Sequence, residues 1–166
     1  MKNQTNTQAN IMQNSSDIRW SWKKFQILSL DELYELLLLR QQVFVVEQQC
    51  PYLDLDRLDQ YSWHLLGHDS TAQLICYLRV LFPGQKYSEP AIGRVVVHPD
   101  YRGQQLGQQL MAEGVKRCTS AYPSMAIRLA AQRHLTGFYQ SFGFKAIGEP
   151  YQEDGIPHID MLREAQ

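Results

Sequence analysis

Residues 95–107 have the sequence VVVHPDYRGQQLG, in which three β-branched residues precede a turn and then the start of a helical pattern. The valines predict a strand that is buried on both faces. The Pro-Asp pair at 99–100 predicts the end of that strand. From Leu106 onward, apolar residues recur at helical spacing, so we expect a helix that opens near Gly103 and runs to about Ser120.

A strand, a glycine-containing turn and a helix N-terminus in this order predict an anion-binding site. The first N–H groups of a helix have no intrahelical acceptor, and the helix dipole places positive potential beside them. Arg102 adds a cation that can bind phosphate oxygens through two hydrogen bonds. We therefore interpret residues 102–107 as a pyrophosphate cradle. The alternative is an ordinary strand-to-helix connection in which Gly103 and Gly107 only permit a tight turn.

The spacing of these glycines excludes two common phosphate-binding motifs. The dinucleotide fingerprint G-x-G-x-x-G is missing, because only Gly103 and Gly107 are present and no second βαβ half follows. A P-loop requires Gly-Lys-Ser or Gly-Lys-Thr, and neither occurs in the chain. Any cradle here belongs to another class of phosphate site.

The composition narrows the class of protein. The chain has 166 residues, of which 44% are hydrophobic, and a formal net charge of -1 at pH 7. This length suits one domain with a sizeable core, and the lack of a basic bias argues against a nucleic-acid partner. No apolar run approaches the roughly 18 residues of a membrane helix, and the N-terminus lacks the layout of a signal peptide. We therefore expect a cytoplasmic protein with no membrane or nucleic-acid partner.

The cysteine pattern also favours a cytoplasmic location. Cys50, Cys76 and Cys118 are scattered along the chain without Cys-x-x-Cys spacing. An odd, unpatterned set is typical of a reducing environment and argues against a disulfide framework and against a zinc site. We expect no metal.

The N-terminal residues differ in composition from the rest of the chain. Residues 1–17 are rich in Asn, Gln, Ser and Thr and offer little to bury. They predict a disordered polar tail, followed by a single domain over residues 18–166. Aromatic residues predict a first strand within 19–28.

The next segment is predicted to be a helix followed by an acidic loop. Ser29 and Glu32 have the spacing of a capping box, and the helix that they begin is expected to end near residues 45–47. The loop over 48–60 contains three aspartates, Asp54, Asp56 and Asp59. One interpretation is a solvated surface loop, and the other is an acidic lip that attracts a cationic amine. It is not an EF-hand, because the required glycine and terminal glutamate are missing.

The remaining segments alternate between strands and helices. We expect a hairpin of 62–67 and 74–82, a central strand at 91–97, a strand at 124–131, a short helix at 135–142 with Gly143 left-handed at its end, and a terminal strand at 156–162. This order predicts an α/β fold with a sheet of mixed direction.

Two motifs resemble those of a known family. Arg102-Gly103-x-x-Leu106-Gly107 after three valines resembles the coenzyme A signature of the GNAT superfamily of N-acetyltransferases, with Gln105 in place of the usual glycine. Gln132-x-x-Leu135-x-x-Phe138-Tyr139-x-x-x-Gly143-Phe144 is similar to the second landmark of that family, with Gln132 in place of the usual Asn. Residues 43–52 and 151–159 resemble the ElaA branch of the superfamily, and the similarity extends over residues 22–161.

The resemblance implies a fold, a donor and a reaction. The implied fold is a GNAT-like mixed, mostly antiparallel sheet flanked by helices, with a splayed central strand pair. The implied co-substrate is acetyl-CoA, whose pantetheine would lie along the backbone of the central strand as an added strand. The implied cofactor-binding residues are Val95, Val96, Val97, Arg102, Gly103, Gln104, Gln105, Leu106, Gly107 and Gln132.

The implied chemistry is the direct attack of a primary amine on the thioester in a ternary complex. Tyr139 resembles the general acid of the family, which would donate to the leaving thiolate. The acceptor would be a small molecule or a peptide, and a dimer is possible. The general base remains open among five residues, Glu47, His64, Glu153, Asp154 and His158.

Two further functions remain open. The departures at Gln105 and Gln132, together with the lack of an acid on the strand at 91–97, suggest an acyl-CoA-binding regulatory module without turnover. The cradle also suits some other phosphate ligand. Binding of coenzyme A without turnover would indicate the first, and stabilisation by nucleotides but not by coenzyme A would indicate the second.

Overall fold

A computed structural model describes residues 18–165 and contains a seven-stranded sheet in the order β1-β2-β3-β4-β5-β7-β6. The strands are β1 (Arg19–Lys24), β2 (Ser62–His68), β3 (Leu74–Leu81), β4 (Ala91–Val97), β5 (Ile127–Gln132), β6 (Lys145–Glu153) and β7 (Ile156–Arg163). The helices are α1 (Leu30–Arg40), α2 (Leu106–Ala121) and α3 (Thr136–Gln140). All neighbouring strands are antiparallel except β4 and β5. The mixed, mostly antiparallel sheet with flanking helices is confirmed, whereas the expected tail at 1–17 lies outside the described residues.

Helix α1 begins at the predicted capping box. The Ser29 hydroxyl accepts from the backbone N–H of Glu32 at 3.1 Å, and the Glu32 carboxylate accepts from the backbone N–H of Ser29 at 2.9 Å. After α1 the chain continues in a π-helical turn, Gln41–Glu47, so the helical segment ends where it was expected. Leu36 and Leu39 are buried against one face of the sheet.

Helix α2 covers the opposite face of the sheet, with Leu110 and Met111 buried in the core. It begins at Leu106, three residues later than the position near Gly103 that was predicted. The reason is that Gly103 (φ +79°) and Gln105 (φ +59°) are left-handed, a conformation that a right-handed helix cannot include. Gln105 is therefore the residue before the helix and not part of its first turn.

Strands β4 and β5 separate from each other, as the resemblance implied. They share a single registered pair, Ala91 with Arg128, at the ends where both strands begin. In its pairing with β3, strand β4 contains a bulge around Arg94, which has a φ of +52°. A bulge adds an unpaired residue and bends the strand. Among residues 18–165, the second half of β4 therefore has no partner strand on the side of β5.

The C-terminal region contains one strand more than predicted. Residues after Phe144 form β6, which turns at Asp154 and Gly155 (φ +50° and +78°) into β7. Strand β7 then inserts between β5 and β6. Within residues 18–165, no helix has both the length and the apolar character needed to cross a membrane.

Candidate active site

A cleft of about 450 Å³ opens where β4 and β5 separate. Its walls include β4, the second half of β5, the π-helical turn after α1, and the turn between β6 and β7. Five of the residues predicted to bind the cofactor line it, namely Val95, Val96, Val97, Arg102 and Gln132, and the predicted acid Tyr139 lines it too. The separated strands therefore bring together residues from both motifs identified in the sequence.

The turn that follows Arg102 has the free amides of an anion site. The backbone N–H groups of residues 103–107, that is Gly103, Gln104, Gln105, Leu106 and Gly107, have no acceptor within residues 18–165. Three of them precede α2 and two lie in its first turn, where the helix dipole is positive. Gly103 and Gln105 are exposed, so the turn is accessible to a ligand.

Arg102 is not a free cation in this structure. Its two terminal nitrogens donate to the two carboxylate oxygens of Glu47 at 2.8 and 2.9 Å, and its Nε lies 3.3 Å from the carbonyl oxygen of Val97. The hydrogen bond to Glu47 raises the pKa of Arg102. Both side chains are about half exposed, at 45% and 40%. A diphosphate that binds Arg102 therefore has to compete with Glu47.

Residues 47–50, which we call the strap, connect three walls of the cleft. Glu47 holds Arg102 beside β4, and the Gln48 side-chain oxygen accepts from the Gln132 amide at the end of β5 at 3.2 Å. The Cys50 thiol lies 3.0 Å from the carbonyl oxygen of Asp154 in the turn between β6 and β7. The sequence pattern gave no indication of these contacts, because the partners are 55 to 104 residues away along the chain.

Tyr139 lies on α3 and is only 8% exposed. Its ring packs edge-on against Phe138, with the centroids 5.1 Å apart. Burial raises the pKa of Tyr139 to about 12, so the phenol remains protonated at neutral pH. Its hydroxyl has no hydrogen-bond partner within the described part of the chain, which leaves the donor available to a ligand in the cleft.

The acidic loop lies at the surface, as one interpretation expected, but its aspartates are not solvated. Its three aspartates turn inward and pair with three arginines, so they form neither a solvated surface nor an open acidic lip. The ion pairs join Arg40 to Asp54 and Asp59, Arg79 to Asp56 and Asp59, and Arg94 to Asp54 and Asp56. Burial alone would raise the pKa of Asp59, but the charges of Arg40 and Arg79 hold it below its usual value.

The five candidates for a general base separate into two groups. His64 is fully buried and bonds to the Tyr77 hydroxyl at 2.8 Å and to the carbonyl oxygen of Asp59 at 2.9 Å, outside the cleft lining. It is therefore a core residue. The other four line the cleft, namely Glu47, Glu153, Asp154 and His158. Among residues 18–165, no group of three or more His, Cys, Asp or Glu side chains is arranged to hold a metal ion.

Comparisons with known proteins identify close relatives of this chain. A profile of the acetyltransferase (GNAT) domain matches residues 39–165. The protein ElaA of Escherichia coli is 46% identical over 149 residues, which cover 89% of this chain and 97% of the relative. A UPF0039 protein of Synechocystis is 44% identical over 146 residues, covering 88% and 95% respectively. The crystal structure of an acyl-CoA N-acyltransferase from Pseudomonas aeruginosa has a TM-score of 0.85 at 43% identity, over 89% of this chain and 99% of that one.

Proposed function

The chain belongs to the GNAT acetyltransferase family, and on that basis we propose that it transfers an acetyl group from acetyl-CoA to a primary amine by direct attack in a ternary complex. Acyl-CoA as the donor is supported by the similarity to an acyl-CoA N-acyltransferase. The choice of acetyl over longer acyl groups and the assignment of site residues are our proposals.

One observation carries the proposal. The separated strands β4 and β5 leave an open backbone edge beside five N–H groups, at residues 103–107, that have no acceptor in the described part of the chain. An extended chain that ends in a diphosphate has complementary chemistry, because amides along its length can bond to the strand edge while its phosphates accept from the turn. Pantetheine joined to a diphosphate is such a chain.

Each part of the site has a role in this proposal. Acetyl-CoA supplies a thioester carbonyl for the amine and a thiolate as the leaving group. The backbone of Val95 and Val97 would bond to the pantetheine amides, and Arg102 with residues 103–107 would bind the diphosphate. Tyr139 lines the same cleft, and its protonated hydroxyl, which has no partner among the described residues, would donate a hydrogen bond to the departing sulfur.

The test is the release of free thiol from acetyl-CoA in the presence of a panel of small amines and amine-bearing peptides. We expect at least one amine to raise the release above the hydrolysis background, with the acetylated amine formed in equal amount. Coenzyme A that binds tightly while acetyl-CoA stays intact with every amine would favour the regulatory module. Thermal stabilisation by nucleotides but not by coenzyme A would favour another phosphate ligand.

A further inference from the structure

The imidazole of His158, on β7, has one nitrogen bonded and the other free. Its Nδ1 lies 2.8 Å from the carbonyl oxygen of Ile156. Because a carbonyl oxygen can only accept, Nδ1 carries the proton in the neutral ring. Nε2 then has a lone pair, and it has no hydrogen-bond partner within residues 18–165. The local backbone therefore selects the tautomer in which Nε2 can accept a proton.

The position of His158 is set by its two neighbouring strands. It lies opposite Gln132 on β5 and opposite Tyr151 on β6, and its ring stacks on Tyr151 with the centroids 6.1 Å apart. Directly opposite residues of a sheet share a face, and both Gln132 and His158 line the cleft. The imidazole is thus held at the edge of the gap between β4 and β5.

His158 and Tyr139 lie on opposite faces of the sheet. Tyr139 packs in the core with Leu129 and Ala131 of β5, whereas the intervening and following residues, Ala130 and Gln132, belong to the other face. A thioester carbonyl in the gap would have the phenol on one side and the imidazole on the other. In direct attack the amine adds to one face of the carbonyl and the sulfur leaves from the tetrahedral centre that forms, so groups on the two sides can serve the amine and the sulfur separately.

Several ionisable groups on neighbouring strands or in the cleft lining are either bound elsewhere or located at the turn. Tyr151 donates to Asp160 at 2.9 Å, and Asp160 is also paired with Arg128 at 2.6 Å. Glu47, across the cleft, is held by Arg102. Glu153 and Asp154 lie at the β6–β7 turn, and the carbonyl oxygen of Asp154 faces Cys50. Imidazole is also the side chain best suited to proton transfer near neutral pH.

We propose that Nε2 of His158 is the general base of the reaction, an inference that rests on the proposed function. Nε2 first takes a proton from the bound alkylammonium, and the imidazolium passes that proton to solvent. The neutral amine nitrogen then forms its bond to the carbonyl carbon, the carbon–sulfur bond breaks with its electron pair going to sulfur, and the nitrogen loses its remaining extra proton to solvent. Tyr139 donates its hydrogen bond to the sulfur on the other side.

The kinetic test compares His158→Gln with His68→Gln, a histidine of β2 outside the cleft lining. An alkylamine is mostly protonated at pH 7, whereas an arylamine is already neutral and needs a base less. We expect His158→Gln to lower kcat about 100-fold with the alkylamine but less than about 5-fold with the arylamine, with the Kd for coenzyme A unchanged. Equal losses with both amines, or no loss, would overturn the role of His158.

A second measurement does not depend on turnover. Nitrogen-15 NMR of the histidine rings, with and without coenzyme A, should show His158 protonated on Nδ1 and bare on Nε2 at a pH where the ring is neutral. A proton on Nε2 would contradict the inference even if the enzyme is active. A wild-type protein that acetylates no amine, despite the expected tautomer, would instead overturn the proposed function and the role of His158 with it.

Discussion

Glu47 and Arg102 form a two-point ion pair, with nitrogen–oxygen distances of 2.8 and 2.9 Å, across 55 residues of chain. This pair joins the end of the π-helical turn to the first residue of the cradle. In the proposed complex the diphosphate binds the same guanidinium group of Arg102. Glu47 therefore opposes cofactor binding in two ways, by competing for Arg102 and by placing a negative charge beside the phosphates.

Neutralising this carboxylate should strengthen cofactor binding. An exposed ion pair is worth about 0.2–1 kcal/mol, so we expect Glu47→Gln to lower the Kd for coenzyme A by roughly 1.5- to 5-fold. Isothermal titration calorimetry of the purified variant measures this change. Glu35→Gln, on the exposed side of α1, is the matched control and should leave the Kd unchanged. A Kd that rises in Glu47→Gln would mean that Glu47 orients Arg102 for the phosphate instead of competing for it.

Removing the cation should have the opposite effect. If Arg102 pairs with a phosphate oxygen, Arg102→Ala removes a charge-assisted hydrogen bond and should weaken coenzyme A binding by about 1.5–3 kcal/mol, roughly 10- to 150-fold in Kd. The variant also leaves Glu47 unpaired beside the cradle. Arg57→Ala, at an exposed loop position, is the control for a general loss of positive charge. The same Kd in both variants would remove Arg102 from the binding site.

Tyr139→Phe should affect the chemical step alone. The hydroxyl has no partner among the described residues, so its removal leaves no buried group unsatisfied, and we expect the thermal midpoint and the Kd for coenzyme A to stay the same. We expect kcat to fall about 100-fold. Because burial raises the pKa of Tyr139 to about 12, the wild-type rate should show no decline from this group up to about pH 11. A Tyr34→Phe variant, exposed on α1, controls for the substitution, and full activity in Tyr139→Phe would contradict the role as acid.

Local patterns were sufficient to predict several features of the fold. The capping box at Ser29 and the left-handed Gly143 (φ +83°) depend on residues within a few positions of each other, and both are present. The prediction that the valine strand is buried on both faces was only partly right, since Val96 is buried while Val95 and Val97 are half-buried. The reason is that β5 diverges from β4 and leaves those two residues beside the cleft.

The features that the sequence did not predict depend on contacts between distant segments. Arg94 and Gln105 adopt positive φ without being glycine, and neither has a local signal for that conformation. The aspartates of the loop were predicted to face solvent because their partners, Arg40 and Arg79, lie on α1 and β3. Composition alone cannot distinguish a solvated acidic loop from one whose charges are buried and paired.

The buried ion pairs beneath the cleft predict how stability depends on pH. Asp59 is 4% exposed and bonds to both Arg40 and Arg79 at 2.8 Å. Asp59→Asn removes the negative charge that offsets the two buried guanidinium groups. This change should lower the free energy of unfolding at pH 7 by about 3–5 kcal/mol. Because the folded-state pKa of Asp59 is depressed, its contribution is complete above the unfolded-state pKa of about 3.9 and is lost as pH falls below it. Urea unfolding at pH 7 and pH 3 should therefore show that the free energy of unfolding falls less on acidification in Asp59→Asn than in the wild type. The control is Asp31→Asn, at an exposed position of α1, which should behave as the wild type. An Asp59→Asn protein as stable as the wild type at pH 7 would show that the network stabilises the fold far less than its burial implies.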